Sequence, residues 1–407
     1  MLHHRCSIRA QPSSAKCHHC GGQLERCETA TQTGKHSSSA ARDDSMLTQP
    51  LIAHSLFKLA PRMLIPAPRL EEIVHGIFAA AGCRDREPRQ IASRLVGANL
   101  VGHDSHGVIR VPDYIQWLAD GKVIANRRAE TVLDSEVFSV LDGGFGFGQA
   151  LGEQAMNVAL ERVKKHGVAF VGLRNAGHLG RIGDWAEMAA GAGYVSLHFV
   201  NTSGGGILVA PFGGIDRRLS ADPIAAGVPL GDGRLLVLDI SCAIIAEGKL
   251  KVARNKGVHV ADGLIVDPEG QPTTDPLKFY GPPRGAILPF GGHKGYALGM
   301  VVEILAGALC GGWCSNPEVK QVANNMLSIV VDPARVQPQQ SFVGEVERFV
   351  AEVKTSRTVT PDGEILYPGE PEARCRAKRQ AEGIPLDETT WSQLSAVAAK
   401  FGVPATP

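Results

Sequence analysis

The sequence has few cysteines and almost no net charge, and each shortage excludes a class of protein. Nine cysteines are spread irregularly over 407 residues, which argues against a disulfide framework and favours a reducing, cytoplasmic location. The formal net charge is only +1, so no bulk electrostatic field draws the chain to nucleic acid or to a membrane surface. We therefore expect an ordinary globular protein that bulk charge directs neither to nucleic acid nor to a membrane.

Long hydrophobic runs are also scarce. Residues 295–314 form an almost wholly apolar stretch, but Glu303 stands in its middle. A carboxylate at the centre of a bilayer costs about 3 kcal/mol, so this stretch predicts a buried helix rather than a membrane span. The chain also lacks the continuous apolar region of a secretory signal.

The common nucleotide-binding signatures are missing as well. The stretch GGFGFGQA at 143–150 comes closest to a dinucleotide fingerprint, but its glycines do not fit G-x-G-x-x-G. No G-x-x-x-x-G-K-[ST] loop is present either, so motifs give no support to a doubly wound nucleotide fold.

Residues 1–62 differ in composition from the rest of the chain. They are rich in Ser, His, Cys, Gln and Arg, and they lack a sustained apolar period. We interpret them as a foreign, disordered leader or an upstream read-through. The stretch KCHHCGGQLERC contains a C-x-x-C pair that could hold zinc, but a structural zinc site needs a second pair at a defined spacing.

From residue 63 onward, helical and strand patterns alternate, which is typical of an α/β fold. The predicted helices cover 68–82, 87–101, a short segment between Pro112 and Gly121, 149–165, 181–192, 343–355 and 387–401. The predicted strands cover 137–143, 168–175, 194–201, 235–241 and 326–332.

Polar residues gather where these strands end. His178 follows the strand 168–175, Asp239 lies near the end of 235–241, and Lys294 stands at the start of the apolar helix. Ligand sites in α/β folds favour such strand ends, and a helix N-terminus suits a phosphate group. Each of these residues taken singly also has a simpler interpretation without a functional role. For His178 and Lys294 it is an ordinary loop or surface side chain, and for Asp239 it is a helix N-cap.

The stretch GHDSHGVIR at 102–110 also has both a structural and a functional interpretation. It lies just past the helix 87–101, with Gly102 as the expected left-handed stop. Its polar residues are either a solvated helix C-terminus or one wall of an active site.

The chain from about 65 to 400 resembles the malate/L-lactate dehydrogenase family that lacks a Rossmann fold. Members include L-sulfolactate and ureidoglycolate dehydrogenases, a diketogulonate reductase and a piperideine-carboxylate reductase. The matching segments are GHDSHGVIRVPDYI, NAGHLGRIGDWAEMAA, VAPFGGIDRRLSADPIAAGVP, LVLDISCAIIAEGKLKVARNKG, LPFGGHKGYALGMVVEILAGAL and LYPGEPE.

The resemblance implies an α/β fold with a mixed sheet that binds NAD or NADP in a non-Rossmann manner. It divides the chain into the leader 1–62, an N-terminal helical substrate and dimer segment 63–135, an NAD(P)-binding α/β domain 136–340, and C-terminal helices 341–407. The last segment would pack back on the first to form a helical domain. The resemblance also implies a homodimer, with Trp117 and the N-terminal helices as candidates for its interface.

The activity implied is hydride transfer between NAD(P) and a small 2-hydroxy acid or 2-oxo acid. Members differ in which of two histidines transfers the proton. We assign acid/base catalysis to His106 and polarisation of the substrate oxygen to His178. Arg110 resembles the carboxylate clamp, and Ser105 and Tyr114 would line the same pocket.

The implied cofactor contacts extend over four other parts of the chain, and no metal is implied. Asp239 counts both as a cofactor contact and as a catalytic residue that steadies the catalytic histidine. The full set of cofactor contacts is His106, Thr202, Asp239, Ile240, Ser241, Gly292, His293, Lys294, Pro368, Gly369 and Glu370.

Departures from the family pattern keep other interpretations open. Ala221, Asp222 and Pro223 stand where relatives commonly carry Thr-Asn-Pro, and Cys242 stands where they carry Thr or Ser. The added carboxylate leaves a catalytically impaired dinucleotide binder as one alternative. Ureidoglycolate dehydrogenase and cyclic-imine 2-carboxylate reductase are others on the same fold.

Two hydrolase interpretations have less support from motifs. A serine hydrolase would use Ser105, but no strand–G-x-S-x-G–helix elbow is present. A metal hydrolase would use His103, His106 and His178, but no H-E-x-x-H pattern is present. The choice between NAD and NADP stays open, because the candidate 2′-phosphate ligands Arg174, Arg181 and Arg217 are scattered.

Overall fold

The computed structural model describes residues 63–407, apart from the side chains of residues 255 and 256. The leader 1–62 and its C-x-x-C pair therefore lie outside the described residues. The strands are β1 (Met63–Ile65), β2 (Glu130–Asp134), β3 (Phe138–Asp142), β4 (Val168–Ala176), β5 (Val195–Thr202), β6 (Ile224–Pro229), β7 (Leu235–Ile240), β8 (Ile265–Val266), β9 (Pro272–Thr273), β10 (Ala286–Ile287), β11 (Asn324–Val331) and β12 (Ile384–Leu386).

The helices match most of the predicted segments to within a few residues. They are α1 (Ala67–Ala80), α2 (Glu87–Leu100), α3 (Val111–Ala119), α4 (Gly148–His166), α5 (Gly183–Gly191), α6 (Glu247–Lys256), α7 (Pro276–Tyr280), α8 (His293–Val302), α9 (Gln339–Lys354), α10 (Glu370–Glu382) and α11 (Glu388–Lys400). A π-helical stretch, Glu303–Ala308, continues α8.

The central sheet has seven strands in the order β2-β3-β4-β11-β5-β6-β7. Only the β3–β4 pair is parallel, and every other neighbouring pair in this sheet is antiparallel. The predicted α/β class with a mixed sheet is therefore confirmed. This arrangement differs from the parallel, doubly wound sheet of a Rossmann fold.

Helices from both ends of the described chain share one apolar core. The short strand β1 pairs antiparallel with β12, and α11 contacts both α1 and α3. The core side chains include Leu70, Ile77, Leu95, Ile384 and Leu394, which are all fully buried. Burial of this kind stabilises a fold by about 25 cal/mol per Å² of apolar surface, so the two chain ends are held together mainly by packing.

The sheet has a helical layer on each face. On one face α4 and α5 pack against β4, β6 and β11, with Trp185 buried between them. On the other face α8 and its π-helical extension pack against β5 and β11. The strands β4 and β5 thus run between two cores, and their C-terminal ends carry the residues of the candidate site.

The prediction that residues 295–314 form a buried helix is half wrong. Gly295, Gly299 and Val302 face the sheet, but Val301 and Ile304 are 46% and 52% exposed. The helix packs on the sheet with one side only, and no part of the described chain covers the other side. None of the helices in residues 63–407 combines the length and apolar character needed to cross a membrane.

Candidate active site

The stretch 102–110 forms two successive 3-10 turns directly after α2. Gly102 adopts φ +89°, a left-handed conformation that ends the helix, as expected. The buried Asn99 amide fixes the turns, because its oxygen accepts from the Val108 N–H at 2.9 Å and its nitrogen donates to Asp104 at 2.7 Å. A Cβ on Gly107 would lie 2.2 Å from the same amide, so this position requires glycine.

These turns bring His106 against His178, which follows β4. The two imidazole rings are stacked with centroids 5.6 Å apart and planes only 10° apart. Ser105 Oγ lies 3.1 Å from His106 Nδ1. Two of the predicted site histidines, distant in sequence, are therefore neighbours in space.

The hydrogen bonds around His178 favour one tautomer of its ring. The buried Gln149 amide donates to Tyr114 Oη at 2.9 Å, so the Tyr114 hydroxyl directs its own proton to His178 Nδ1 at 2.7 Å. Burial raises the pKa of Tyr114, which keeps the phenol protonated. The neutral His178 ring thus carries its proton on Nε2, where it can donate to a ligand.

Arg110 contributes positive charge to both histidines. Its Nε donates to the Ser105 carbonyl oxygen at 2.7 Å, and its Nη1 lies 3.5 Å from Asp113. Burial lowers the pKa of His106 to about 3, with further lowering by Arg110. Burial, and then Arg110, lower the pKa of His178 as well. A carboxylate bound to Arg110 would cancel its charge and favour protonation of the imidazoles.

Asp239 contacts a different histidine from the one expected. Its Oδ2 accepts from the Gly183 N–H at 3.0 Å and lies 3.8 Å from His103 Nδ1. Burial raises the pKa of Asp239, although Arg181 at 3.6 Å opposes this shift. The contact is with His103 and not with His106, so Asp239 is not placed to steady the proposed acid/base directly.

Sequence reasoning missed a chain of charges behind this carboxylate. His103 Nε2 lies 3.3 Å from Glu372 on α10, on the far side of the ring from Asp239. Arg181 is only 2% exposed and pairs with Asp184 at 3.0 Å and Glu187 at 2.6 Å. These charged side chains connect the N-terminal turns, the sheet and α10. In the sequence, the one sign of them is that Arg181 follows the end of a predicted strand.

Thr202, at the end of β5, is tied to the loop that carries His178. Thr202 Oγ1 accepts from the Asn324 amide at 2.8 Å, and the oxygen of the same amide accepts from the Leu179 N–H at 2.8 Å. Thr202 N–H also donates to Ser220 Oγ at 3.0 Å. Asn324, which the sequence did not indicate, therefore connects a predicted cofactor contact to the histidine pair.

The predicted contacts at the end of β7 lie beside the start of α8. Ser241 Oγ donates to the Ala221 carbonyl at 2.9 Å, and Phe290 N–H donates to the Cys242 carbonyl at 3.0 Å. The helix begins at His293, and Gly292 before it has φ +61°. His293 and Lys294 are both exposed. The N–H groups of Lys294 and Gly295 already donate to the carbonyls of Gly291 and Phe290, so the features that suit a pyrophosphate are the lysine and the positive end of the helix dipole.

The turn of Pro368, Gly369 and Glu370 packs on the same strand. Val237 N–H donates to the Pro368 carbonyl at 2.9 Å, and a Cβ on Gly369 would lie 2.9 Å from that nitrogen. Ile240 is 39% exposed on β7. The Glu370 carboxylate is already held by Lys354 at 2.7 Å and Arg374 at 2.6 Å. The Glu370 side chain therefore already forms ion pairs, and we expect any contact of this residue with a cofactor to come from its backbone.

The two departures from the family pattern lie inside the protein. Asp222 is 0% exposed and Cys242 is 3% exposed. Burial, and secondarily Asp222, raise the pKa of the Cys242 thiol to about 12. The added carboxylate thus does not line the cleft, which removes the direct reason for expecting it to disturb substrate contacts.

The remaining alternatives gain no geometric support from the described residues. The three arginines considered as 2′-phosphate ligands are committed to other partners: Arg174 to Asp142, Arg181 to three carboxylates, and Arg217 to the carbonyls of Phe279 and Gly285. Within residues 63–407, no group of three or more His, Cys, Asp or Glu side chains is placed to share a metal ion.

The malate/L-lactate dehydrogenase family matches residues 65–395. The chain belongs to this family. It is 39% identical over 343 residues to hydroxycarboxylate dehydrogenase B of Escherichia coli, covering 83% of this chain and 94% of the relative. It is 37% identical to L-lactate dehydrogenase of Cupriavidus necator, covering 84% and 99%.

Solved structures agree with this assignment. The structure of Δ1-piperideine-2-carboxylate reductase from Pseudomonas syringae superposes with a TM-score of 0.74 at 29% identity, covering 82% of this chain and 99% of that one. The resemblance to a family of hydroxy-acid dehydrogenases, and hence to oxidoreductases, is thus confirmed.

Proposed function

We propose that this protein transfers a hydride between NAD(P) and a small 2-hydroxy acid or 2-oxo acid. The observation that carries the proposal is the stacked pair of His106 and His178 beside the guanidinium of Arg110. Hydride transfer at a carbon next to a carboxylate needs a proton carrier, a group that polarises the oxygen, and a cation for the carboxylate. These three side chains supply those functions.

The hydrogen bonds support a division of labour between the histidines. His178 presents Nε2–H because its Nδ1 accepts from Tyr114, so it polarises the substrate oxygen. His106 has only the small Ser105 hydroxyl on Nδ1, and it exchanges the proton with the substrate. Arg110 binds the carboxylate, which a guanidinium can meet with two parallel hydrogen bonds.

In this proposal the nicotinamide cofactor binds at the edge formed by the ends of β5 and β7 and the start of α8. When bound, it supplies or accepts the hydride. Lys294, at the positive end of the α8 dipole, would hold the pyrophosphate, and Thr202, Ile240 and Ser241 would contact the rest of the dinucleotide. Since Arg174, Arg181 and Arg217 are occupied, none of them is available to hold a 2′-phosphate without changing partners, and this favours NAD.

A cyclic-imine 2-carboxylate is the second candidate substrate, because a piperideine-carboxylate reductase shares the fold. The same groups would serve, with His106 protonating the imine nitrogen instead of the oxygen. The carboxylate clamp would be unchanged.

A substrate panel tests the proposal. We expect the full chain to oxidise NADH or NADPH with oxaloacetate, pyruvate, sulfopyruvate or a cyclic-imine carboxylate, followed at the absorbance band of the reduced nicotinamide. Cofactor binding without turnover of any of them would instead identify a non-catalytic dinucleotide binder. Metal-dependent ester hydrolysis without dinucleotide binding would favour a hydrolase.

We also propose a cytoplasmic homodimer, with a different interface from the one the sequence suggested. Trp117 is half-buried and stacks on Tyr114 within the helical core, at 5.5 Å. The exposed apolar side of α8 and its extension, with Val301, Ile304 and Leu309, is the better candidate. Contiguous exposed apolar surface of this kind marks association sites.

The interface makes a direct prediction. Ile304→Glu places a charge on the exposed side of the helix without entering the core, so light scattering coupled to gel filtration should show monomers where the parent chain is a dimer. The matched change Leu277→Glu, at another exposed apolar residue that is 64% exposed, should leave the mass unchanged. A dimer that survives Ile304→Glu would return the interface to the N-terminal helices.

A further inference from the structure

Two buried carboxyl groups face each other behind the Thr202 edge of the cleft. Asp222 is 0% exposed and Glu303 is 3% exposed, and the two side chains are within hydrogen-bonding reach of each other. Asp222 follows Ser220 in the segment before β6, whereas Glu303 opens the π-helical stretch after α8. A like-charged pair in such a place is costly unless a proton is shared.

Both oxygens of Glu303 accept hydrogen bonds from surrounding donors. One oxygen accepts from the Asn201 amide at 2.6 Å and from the Ser315 N–H at 2.8 Å. The other accepts from the Ser315 hydroxyl and, at 3.4 Å, from the Ser220 N–H. Donors therefore surround both oxygens, and none of them requires a proton on Glu303.

Asp222 has the opposite surroundings. Its Oδ1 accepts from the Ser220 hydroxyl, but its Oδ2 is buried and accepts no hydrogen bond from any residue that the structure describes. A buried oxygen left without a partner costs about 1–3 kcal/mol, and more when it is charged. A proton on the Asp222 carboxyl reduces this cost, because the resulting hydroxyl can donate to Glu303, which is within hydrogen-bonding reach.

No cationic side chain among the described residues is placed to neutralise Asp222. The titratable side chains that face it are Glu303, Cys242 after β7 and Cys314 after the π-helical stretch. Burial raises the pKa of both thiols, so they stay neutral. Neither carboxyl forms an ion pair with any lysine, arginine or histidine whose side chain the structure describes. On the α8 side, a Cβ placed on Gly299 would lie 3.1 Å from Asp222 Oδ2, so this oxygen packs closely against the helix.

We propose that Asp222 keeps its proton at neutral pH, donates it in a hydrogen bond to Glu303, and in this neutral form positions Ser220 to hold Thr202. The path is continuous, because the Ser220 hydroxyl donates to Asp222 and accepts from the Thr202 N–H at 3.0 Å. Asp222 is thus a positioning residue, and its effect on the cofactor rests on the function proposed above.

The raised pKa of Asp222 determines how the stability of the folded chain changes with pH. Burial, and then Glu303, raise the pKa of Asp222 well above its usual range. A carboxyl whose pKa is higher in the folded chain binds more protons folded than unfolded, so rising pH favours unfolding. The stabilising contribution of the proton is complete below the unfolded pKa of about 3.9 and is lost as pH rises through the raised folded value.

Urea unfolding of the unliganded full chain tests the proton itself. We compare the parent chain with Asp222→Asn, which keeps a donor toward Glu303 but cannot ionise. The ratio of their unfolding constants, parent over variant, should rise about tenfold per pH unit between about pH 5 and pH 7. The exposed control Asp216→Asn should leave this slope at zero. A pH-independent ratio for Asp222→Asn would show that Asp222 is ionised and overturn the proposal.

An infrared difference spectrum covers the case in which unfolding is irreversible. At pH 7 the parent minus Asp222→Asn spectrum should contain the carbonyl stretch of a protonated carboxylic acid, and the parent minus Asp216→Asn spectrum should lack it. The absence of that band from the first spectrum would contradict the proposal.

NADH binding tests the positioning role separately. Asp222→Leu, which cannot hold Ser220, should weaken binding about tenfold, and Asp222→Asn should rescue it to within about twofold of the parent chain; tenfold corresponds to 1.4 kcal/mol. Equal binding by all three proteins would refute the positioning role. If the parent chain binds no dinucleotide at all, the proposed function is wrong. The unfolding and infrared measurements still show whether Asp222 is protonated.

Discussion

Substitution of His106 by alanine should lower kcat for 2-oxo acid reduction by about 10²- to 10⁴-fold, which is the usual contribution of a general acid/base. The reason is that His106 is the member of the stacked pair whose proton is not fixed by a tyrosine. Steady-state kinetics with NADH and the best substrate of the panel measure the effect. Dinucleotide affinity should fall far less than kcat, since His106 is only one of the implied cofactor contacts and the edge around Thr202 and Lys294 is untouched.

The matched variant His178→Ala separates the two histidines. It removes a polarising donor but leaves the proton carrier, so it should lower kcat less than His106→Ala does and should also weaken substrate binding. The tautomer argument makes a further distinction, because Tyr114→Phe should affect only the His178 role. If His106→Ala retained full activity while His178→Ala lost it, the proton transfer would belong to His178.

Arg110→Lys should raise KM for the acid substrate about 10- to 100-fold, or about 1.4–2.8 kcal/mol. An ammonium group cannot reproduce the two parallel hydrogen bonds of a guanidinium on a carboxylate. The lysine also loses the Arg110 Nε bond to the Ser105 carbonyl, which holds the guanidinium in place. We expect kcat to change less than KM, because the charge beside the histidines is kept.

Initial-rate measurements over a range of substrate concentrations test this prediction. The control is Arg218→Lys, at an arginine whose side chain is 63% exposed and pairs with Asp216. That variant should match the parent enzyme in both constants. An unchanged KM in Arg110→Lys would show that another group binds the carboxylate.

The strongly periodic elements of the fold could be predicted from the sequence. α1, α2 and α4 carry apolar residues at helical spacing, β4 opens with the apolar run VAFVGL, and β5 alternates Val195, Leu197 and Phe199 with Ser196 and His198, so local pattern and final structure agree. β6 was missed because IAAGVP has weak strand propensity, and it is a strand because β5 and β7 pair with both of its edges. Such pairing is a tertiary effect that a local pattern cannot show.

The helix α10 was missed for a different reason. Its sequence, EPEARCRAKRQAE, has no apolar period, and none of its residues is buried. Ion pairs tie it to the rest of the protein, from Arg376 to Glu187 and from Arg379 to Asp104. Partners so far apart in sequence give no local signal.

In the candidate site, too, some features could be predicted from the sequence and others depend on tertiary contacts. The pairing of His106 with His178 followed from the family resemblance, and the geometry brings them together. The hydrogen bond that favours one His178 tautomer did not follow, because it depends on Gln149, the second residue of α4, which no motif indicated. The contact of Asp239 with His103 likewise depends on how the N-terminal turns lie against β7.

Transfer of deuterium from NADH labelled at nicotinamide C4 tests the central claim most directly. With the accepted 2-oxo acid or cyclic imine, mass spectrometry of the product should show the label on the carbon next to the carboxylate, from one face of the nicotinamide only, and the His106→Ala variant should form this product far more slowly. Product without label, or label released to water, would contradict direct hydride transfer at the His106, His178 and Arg110 site.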